Sequence, residues 1–296
     1  AKIGTADFSG PTEPLIRSDS TTSLPEKTIL RLHGSNTIGA KLAPALVSGY
    51  LTNILGAEKV EMFAGKKANE VVIKGKFKDS IKVVEIHAHG ATTGFKDLAA
   101  AQCEISMASR RIQEKEFIEL IKLGEMTSPT NEHVIALDGI AVVVNKNSKI
   151  NTLSMKQLAD IFSGKTTNWS QVGGEPGKIA VYARDENSGT YDTFKAIVLD
   201  KMKLKQGVKR FESNPELSEQ VSRDPHGIGF TSLSSINEAK AIAVAETGAK
   251  PILPNFLTVA TEDYPIARRL FFYTESHPKN RYVRDFIEFV QSLKGQ

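Results

Sequence analysis

The chain passes repeatedly from a short apolar run, through a polar loop, into a segment whose apolar residues recur every three or four positions. Ile29-Leu30-Arg31-Leu32 precedes a helical pattern with Ile38, Leu42, Ala45 and Leu46. Residues 81–86 precede Phe95, Leu98 and Ala99, and residues 104–108 precede Phe117, Leu120 and Ile121. Neither a strand nor a helix can bury its apolar face alone, and this order buries both by laying helices on a sheet. An α/β chain is expected. At 296 residues it is long enough for two cores, since domains cluster near roughly 100–150 residues.

The grammar continues with runs at residues 133–137 and 139–144, then a helix carrying Leu158, Ile161 and Phe162. Ser154 and Gln157 form a capping box before that helix, and Gly164 is its expected C-cap. Strands at 179–182, 228–230 and 241–244, a helix with Phe194, Ile197 and Val198, and a strand at 269–273 lead to a closing helix with Val283, Phe286, Ile287 and Val290. Pro44 predicts a kink or a late helix start. Residues 1–27, rich in Gly, Pro, Ser and Thr, read as an arm before the first core strand.

Several function classes drop out. No run approaches the ~20 apolar residues of a membrane helix. The single Cys103 excludes an internal disulfide framework and a zinc site built on several cysteines. The net charge of +4 is spread among acids, so nucleic acid is not an expected partner. Residues 159–166 imitate a phosphate-binding P-loop, but Ala stands at the first position and the preceding residues are helical where a strand is required. His87 and His89 share one side of a strand, yet no third ligand accompanies them, so no metal is expected. Ser188 has no histidine assigned to activate it and no nucleophile-elbow sequence, so no enzyme and no cofactor are expected.

Three loops share one design, with small polar residues and glycine between a strand and the next helix: 33–39, 89–94 and 184–190. Free amides at a helix start suit an anion. In the third loop Arg184 could give two parallel bonds to an oxyanion, Ser188 and Thr190 add hydroxyls, and Gly189 lets the backbone approach.

Gly34-Ser35-Asn36-Thr37-Ile38, Met107-Ala108-Ser109-Arg110, Leu137-Asp138-Gly139-Ile140-Ala141-Val142, residues 162–170, residues 184–190 and Gly227-Ile228-Gly229-Phe230 resemble, in order, the signature segments of the phosphate-binding proteins of ABC phosphate transporters. The resemblance spans roughly residues 29–292. It extends to a branch, marked by His87-Ala88-His89-Gly90 and Tyr182-Ala183-Arg184-Asp185, that in some bacteria is joined to an OmpA-like module, which here would follow Gln296. The resemblance implies a type II periplasmic-binding-protein fold of two α/β lobes joined by two hinge crossings. Lobe 1 would comprise residues 28–137 and 255–296, and lobe 2 residues 138–254.

Inorganic phosphate would lie between the lobes, held by Ser35, Asn36, Thr37, Thr92, Ser109 and Arg110 from the first lobe, Asp138 at a crossing, and Arg184, Ser188, Gly189 and Thr190 from the second. Two positions depart from the family. Ala91 replaces a common serine, leaving Thr92 or backbone to serve. Arg110 replaces the aspartate that accepts phosphate's proton in one branch, which makes Asp138 the candidate acceptor unless it caps a turn or pairs with Arg110. The implied role is that of a monomeric receptor in the periplasm or cell envelope, delivering phosphate to a membrane ABC permease. The alternatives on the same fold are a binder of another oxyanion, a phosphate-ester hydrolase and a cell-envelope adhesin.

Overall fold

A computed structural model describes residues 24–295. The reading of residues 1–23 as an arm lies outside the described residues. Order reaches back to Glu26, two residues earlier than the arm boundary expected from the sequence, because Glu26 and Lys27 pair with Ile81 and Lys82 of a neighbouring strand.

The first half builds on β1 (Glu26–Gly34), a π-helical turn (Ile38–Leu42) running into α1 (Ala43–Asn53), the hairpin β2 (Lys59–Ala64) and β3 (Glu70–Lys76), β4 (Ile81–His87), α2 (Ala91–Ala99), β5 (Ile105–Ala108) and α3 (Glu114–Leu120). Pro44 sits in the first turn of α1, directly after the π turn in which the Ala43 amide donates to the Ile38 carbonyl. The widened π turn before it keeps the helix continuous. The second half follows with β6 (Glu132–Val144), β7 (Thr152–Ser154), α4 (Met155–Ser163), β8 (Ala180–Arg184), α5 (Gly189–Phe194), β9 (Lys209–Phe211), α6 (Asn214–Arg223), β10 (Gly227–Ser232), β11 (Lys240–Ala241) and β12 (Ala243–Ala245). The chain closes with α7 (Phe256–Ala260), β13 (Ala267–Tyr273) and α8 (Arg281–Gln291).

The capping box at Ser154 and Gln157 is present, and Gly164 ends α4 in the left-handed conformation. The runs at 133–137 and 139–144 are one strand, not two. The β2–β3 hairpin and α6 have no counterpart in the sequence reading, because Lys and Glu fill the exposed edge of the hairpin and the face of α6 is sparsely apolar.

One mixed sheet runs β2-β3-β4-β1-β5-β13-β6-β10-β8-β9. Its two halves meet within β6. From Glu132 to Gly139 that strand pairs with β13, and from Ile140 to Val144 it pairs with β10. On one side of this change lies a core of Leu30, Leu32, Tyr50, Ile86, Phe272 and Phe286. On the other lies a core of Val142, Leu158, Phe162, Phe194 and Phe230. Val259, Tyr264 and Ile266 belong to the second core, and the Tyr264 hydroxyl donates to the Ile140 carbonyl at 2.9 Å. The chain thus returns to the first core at Ala267, later than the boundary at 255 expected from the sequence, because these apolar residues follow the loop through α7. Phe194 stacks on Phe230 at 4.0 Å while Phe162 meets both edge-on, which anchors the far end of α5 and aims its N-terminus at the first half.

Candidate functional site

β1 ends on Gly34 at φ 132°, where a Cβ would lie 2.2 Å from the Met107 carbonyl oxygen. Glycine alone allows the chain to turn this tightly against β5. The Ser35 amide donates to that same carbonyl at 2.8 Å, and the helix begins at Asn36, with first-turn amides that have no partner inside the helix. The Ser35 hydroxyl is buried and has no hydrogen-bond partner among the described residues.

The second half presents the N-terminus of α5 to this turn. Ser188 caps the helix by accepting from the Tyr191 amide at 3.3 Å. Gly189 sits so close to the first half that a Cβ would fall 2.6 Å from Ser109 Oγ and 3.0 Å from Ala91 Cβ. Thr37 and Thr190 then meet across the divide, their hydroxyl oxygens 3.2 Å apart. Asn214, at the start of α6, donates from its backbone to Asn36 Oδ1 at 3.0 Å and from its side chain to Thr37 Oγ1 at 3.1 Å.

Charge at this junction is lopsided. Arg184 is buried, and its hydrogen bonds go to neutral oxygens only: the Phe211 carbonyl at 3.1 Å, Asn214 Oδ1 and the Glu212 carbonyl. Burial pulls its pKa down to about 10, and the nearby Arg268 pulls the same way against Asp185 and Glu212. Arg268 is buried too, bound to Asp138 Oδ2 at 3.0 and 2.7 Å, to Thr37 Oγ1 at 3.1 Å, to Thr190 Oγ1 at 3.0 Å and to the Ser109 carbonyl at 3.2 Å. Burial lowers its pKa, and Asp138 opposes the shift. Two buried guanidiniums and one buried carboxylate leave one positive charge in excess. Both threonine hydroxyls accept from Arg268, and their mutual contact uses at most one of their two protons. At least one O–H therefore remains to donate.

Of the residues expected from the sequence, Ser35, Asn36, Thr37, Ser109, Asp138, Arg184, Ser188, Gly189 and Thr190 are brought together. Arg110 and Thr92 stand apart from them as a tie. Arg110 binds both oxygens of Glu116 at 2.7 Å, Asp192 at 2.6 Å and Thr92 Oγ1 at 3.1 Å. Burial pulls the Arg110 guanidinium down, but the Glu116 and Asp192 carboxylates outweigh it and hold its pKa up. Its donors are consumed within the protein, so the sequence reading of Arg110 as an anion ligand is corrected to a link between the halves. Asp138 pairs with Arg268 rather than Arg110, and its other oxygen accepts from Ser232 at 2.8 Å.

Sequence reasoning missed Arg268, Asn214 and Ser232. Arg268 had a readable signal, since it occupies an inward position in the alternation Ile266, Arg268, Leu270, Phe272, where a charge needs a buried partner. Asn214 belongs to α6, a helix the sequence reading does not contain, so nothing drew attention to it.

The PBP superfamily domain model matches residues 47–294. Protein SphX of Synechococcus elongatus is 35% identical over 72% of this chain, and the phosphate-binding protein PstS of Staphylococcus haemolyticus is 30% identical over 70% of it. The chain spans 66% and 67% of the length of these curated relatives. A substrate-binding protein of Clostridium perfringens solved with bound phosphate superposes with a TM-score of 0.71 at 25% identity, covering 91% of this chain and 95% of the other.

Proposed function

Because the chain belongs to the PBP superfamily and stands among relatives that include phosphate-binding PstS proteins, we propose that it binds one inorganic phosphate ion at the junction of its halves and delivers it to a membrane ABC permease. The excess positive charge of buried Arg184 and Arg268 over Asp138 carries the reading. An oxyanion neutralises that excess and receives hydrogen bonds from the Ser35 hydroxyl, a threonine hydroxyl and the first-turn amides behind Ser35 and Ser188. Charged hydrogen bonds contribute about 1.5–3 kcal/mol each, so a few of them exceed the roughly 8 kcal/mol of a micromolar complex after the costs of ordering.

Residues 26–138 with 267–292 act as one lobe and 139–266 as the other, hinging at Gly139 and Ala267. The protein works as a monomer outside the cytoplasmic membrane. Phosphate binds the folded chain only, so at about a thousand times Kd it adds roughly 4 kcal/mol of stability. Calorimetry on protein stripped of anion by unfolding and refolding is expected to give a Kd at or below micromolar for phosphate, with a matching rise in Tm. No heat and no shift at millimolar phosphate would refute the reading, and tighter binding of sulfate would reassign the ligand.

A further inference from the structure

His89 lies beside the anion cluster, in the loop from β4 to α2, and both of its ring nitrogens face carboxylates. Nδ1 is 2.5 Å from Glu212 Oε1 in the second half, and Nε2 is 3.2 Å from Glu70 Oε1 on β3 in the first. An imidazole can direct N–H bonds at two carboxylates only as the doubly protonated cation. Glu212 is joined to the anion site through its backbone, because its carbonyl accepts from Arg184.

The charged and titratable groups around His89 are Glu70 on β3, His87 on β4 with its ring centre 6.3 Å away, and Glu212 before α6, with Arg184 and Asp185 behind Glu212. Burial lowers the His89 pKa, but the hydrogen bonds its ring donates to Glu212 and Glu70 outweigh it and hold the ring above its ordinary value. Burial and the neighbouring His33, stacked at 4.1 Å, push His87 the other way. His89 thus sits between two carboxylates, beside a His87 ring that burial biases toward the neutral form.

We propose that His89 is a positioning residue for the anion site, a protonated clasp that binds Glu212 to Glu70 across the divide and thereby holds the segment carrying the Arg184 contact. The inference rests on the phosphate reading for its probe. The sign of the effect follows from the raised pKa. The clasp contributes fully below the ordinary histidine value near 6.5 and is lost as pH rises through the higher value of the clasped ring.

The test compares phosphate Kd for the wild type, His89→Gln and Glu212→Gln from about pH 5.5 to about pH 8.5, taking the ratio of variant to wild type at each pH so that the titration of phosphate itself cancels. The ratio is expected to approach one at the alkaline end and to reach about tenfold at the acid end, the equivalent of one pKa unit of coupling. A ratio that does not change with pH overturns the inference. Nuclear magnetic resonance titration of the His89 ring decides the clasp independently of ligand. Its pKa is expected to fall in Glu212→Gln, and an unchanged value overturns the clasp. A wild type that binds no phosphate at any pH refutes the functional reading instead, and the ring titration still decides whether the clasp exists.

Discussion

Replacing Arg268 by alanine is expected to abolish measurable phosphate binding and to destabilise the unliganded protein by about 3–5 kcal/mol, the usual penalty for stranding one member of a buried ion pair. Both effects have the same origin. Arg268 is the one group that touches Asp138, Thr37, Thr190 and Ser109 together, so its loss leaves a buried carboxylate uncompensated and releases the residues that meet at the junction. The double variant Arg268→Ala with Asp138→Asn separates the two effects. It should regain most of the stability, because the stranded charge is gone, and none of the affinity, because the threonines remain unsupported. Urea unfolding and calorimetry on the same samples read both quantities. A double variant that binds phosphate normally would remove Arg268 from the site.

The second large effect is expected at Arg184, with a different signature. Arg184 is buried with no carboxylate among its hydrogen-bond partners, so the folded protein holds a cation that burial disfavours. Arg184→Met, similar in length and uncharged, relieves that penalty while leaving three oxygen acceptors without a donor. The unliganded Tm is therefore expected to change by only a few degrees in either direction, whereas phosphate affinity falls by well over tenfold, as the loss of one or two charged hydrogen bonds at about 1.5–3 kcal/mol each requires. Affinity within twofold of the wild type would show that Arg184 is a structural cation, satisfied by Phe211, Glu212 and Asn214. A collapse of the unliganded fold would show that those three bonds outweigh the burial penalty.

The α/β order, the capping box at Ser154 and Gln157 and the polar loops at 33–39 and 184–190 were legible in the sequence because they depend on local patterns, whereas Ser109 and Asp138 entered only through the family resemblance. A glycine that must turn sharply, a hydroxyl that caps a helix and an apolar repeat all act within a few residues of themselves. The partners of Arg110 and Asp138 were not legible, for the opposite reason. Arg110 joins a nearby carboxylate, Glu116, to a distant one, Asp192, while Asp138 meets Arg268 far along the chain, and no local pattern announces which carboxylate a buried guanidinium will meet. The later return to the first core has a similar cause. Val259, Tyr264 and Ile266 are as apolar as residues of either core, and the bonds that tie them to the second, from the Tyr264 hydroxyl to the Ile140 carbonyl and from the Ile140 amide to the Ile266 carbonyl, join segments far apart in sequence.

β6 hands its hydrogen bonds from β13 to β10 within one uninterrupted strand. Two cores connected by loops alone could melt separately, each with its own midpoint. Here the amides and carbonyls that seal the edge of one core continue directly into those that seal the other, so fraying from either side propagates along a shared backbone. The halves are expected to unfold as one cooperative unit, with a single midpoint in urea or heat, although they remain distinct in their packing. The hinge proposed at Gly139 therefore lies on the very backbone that links the hydrogen-bond networks of the two cores.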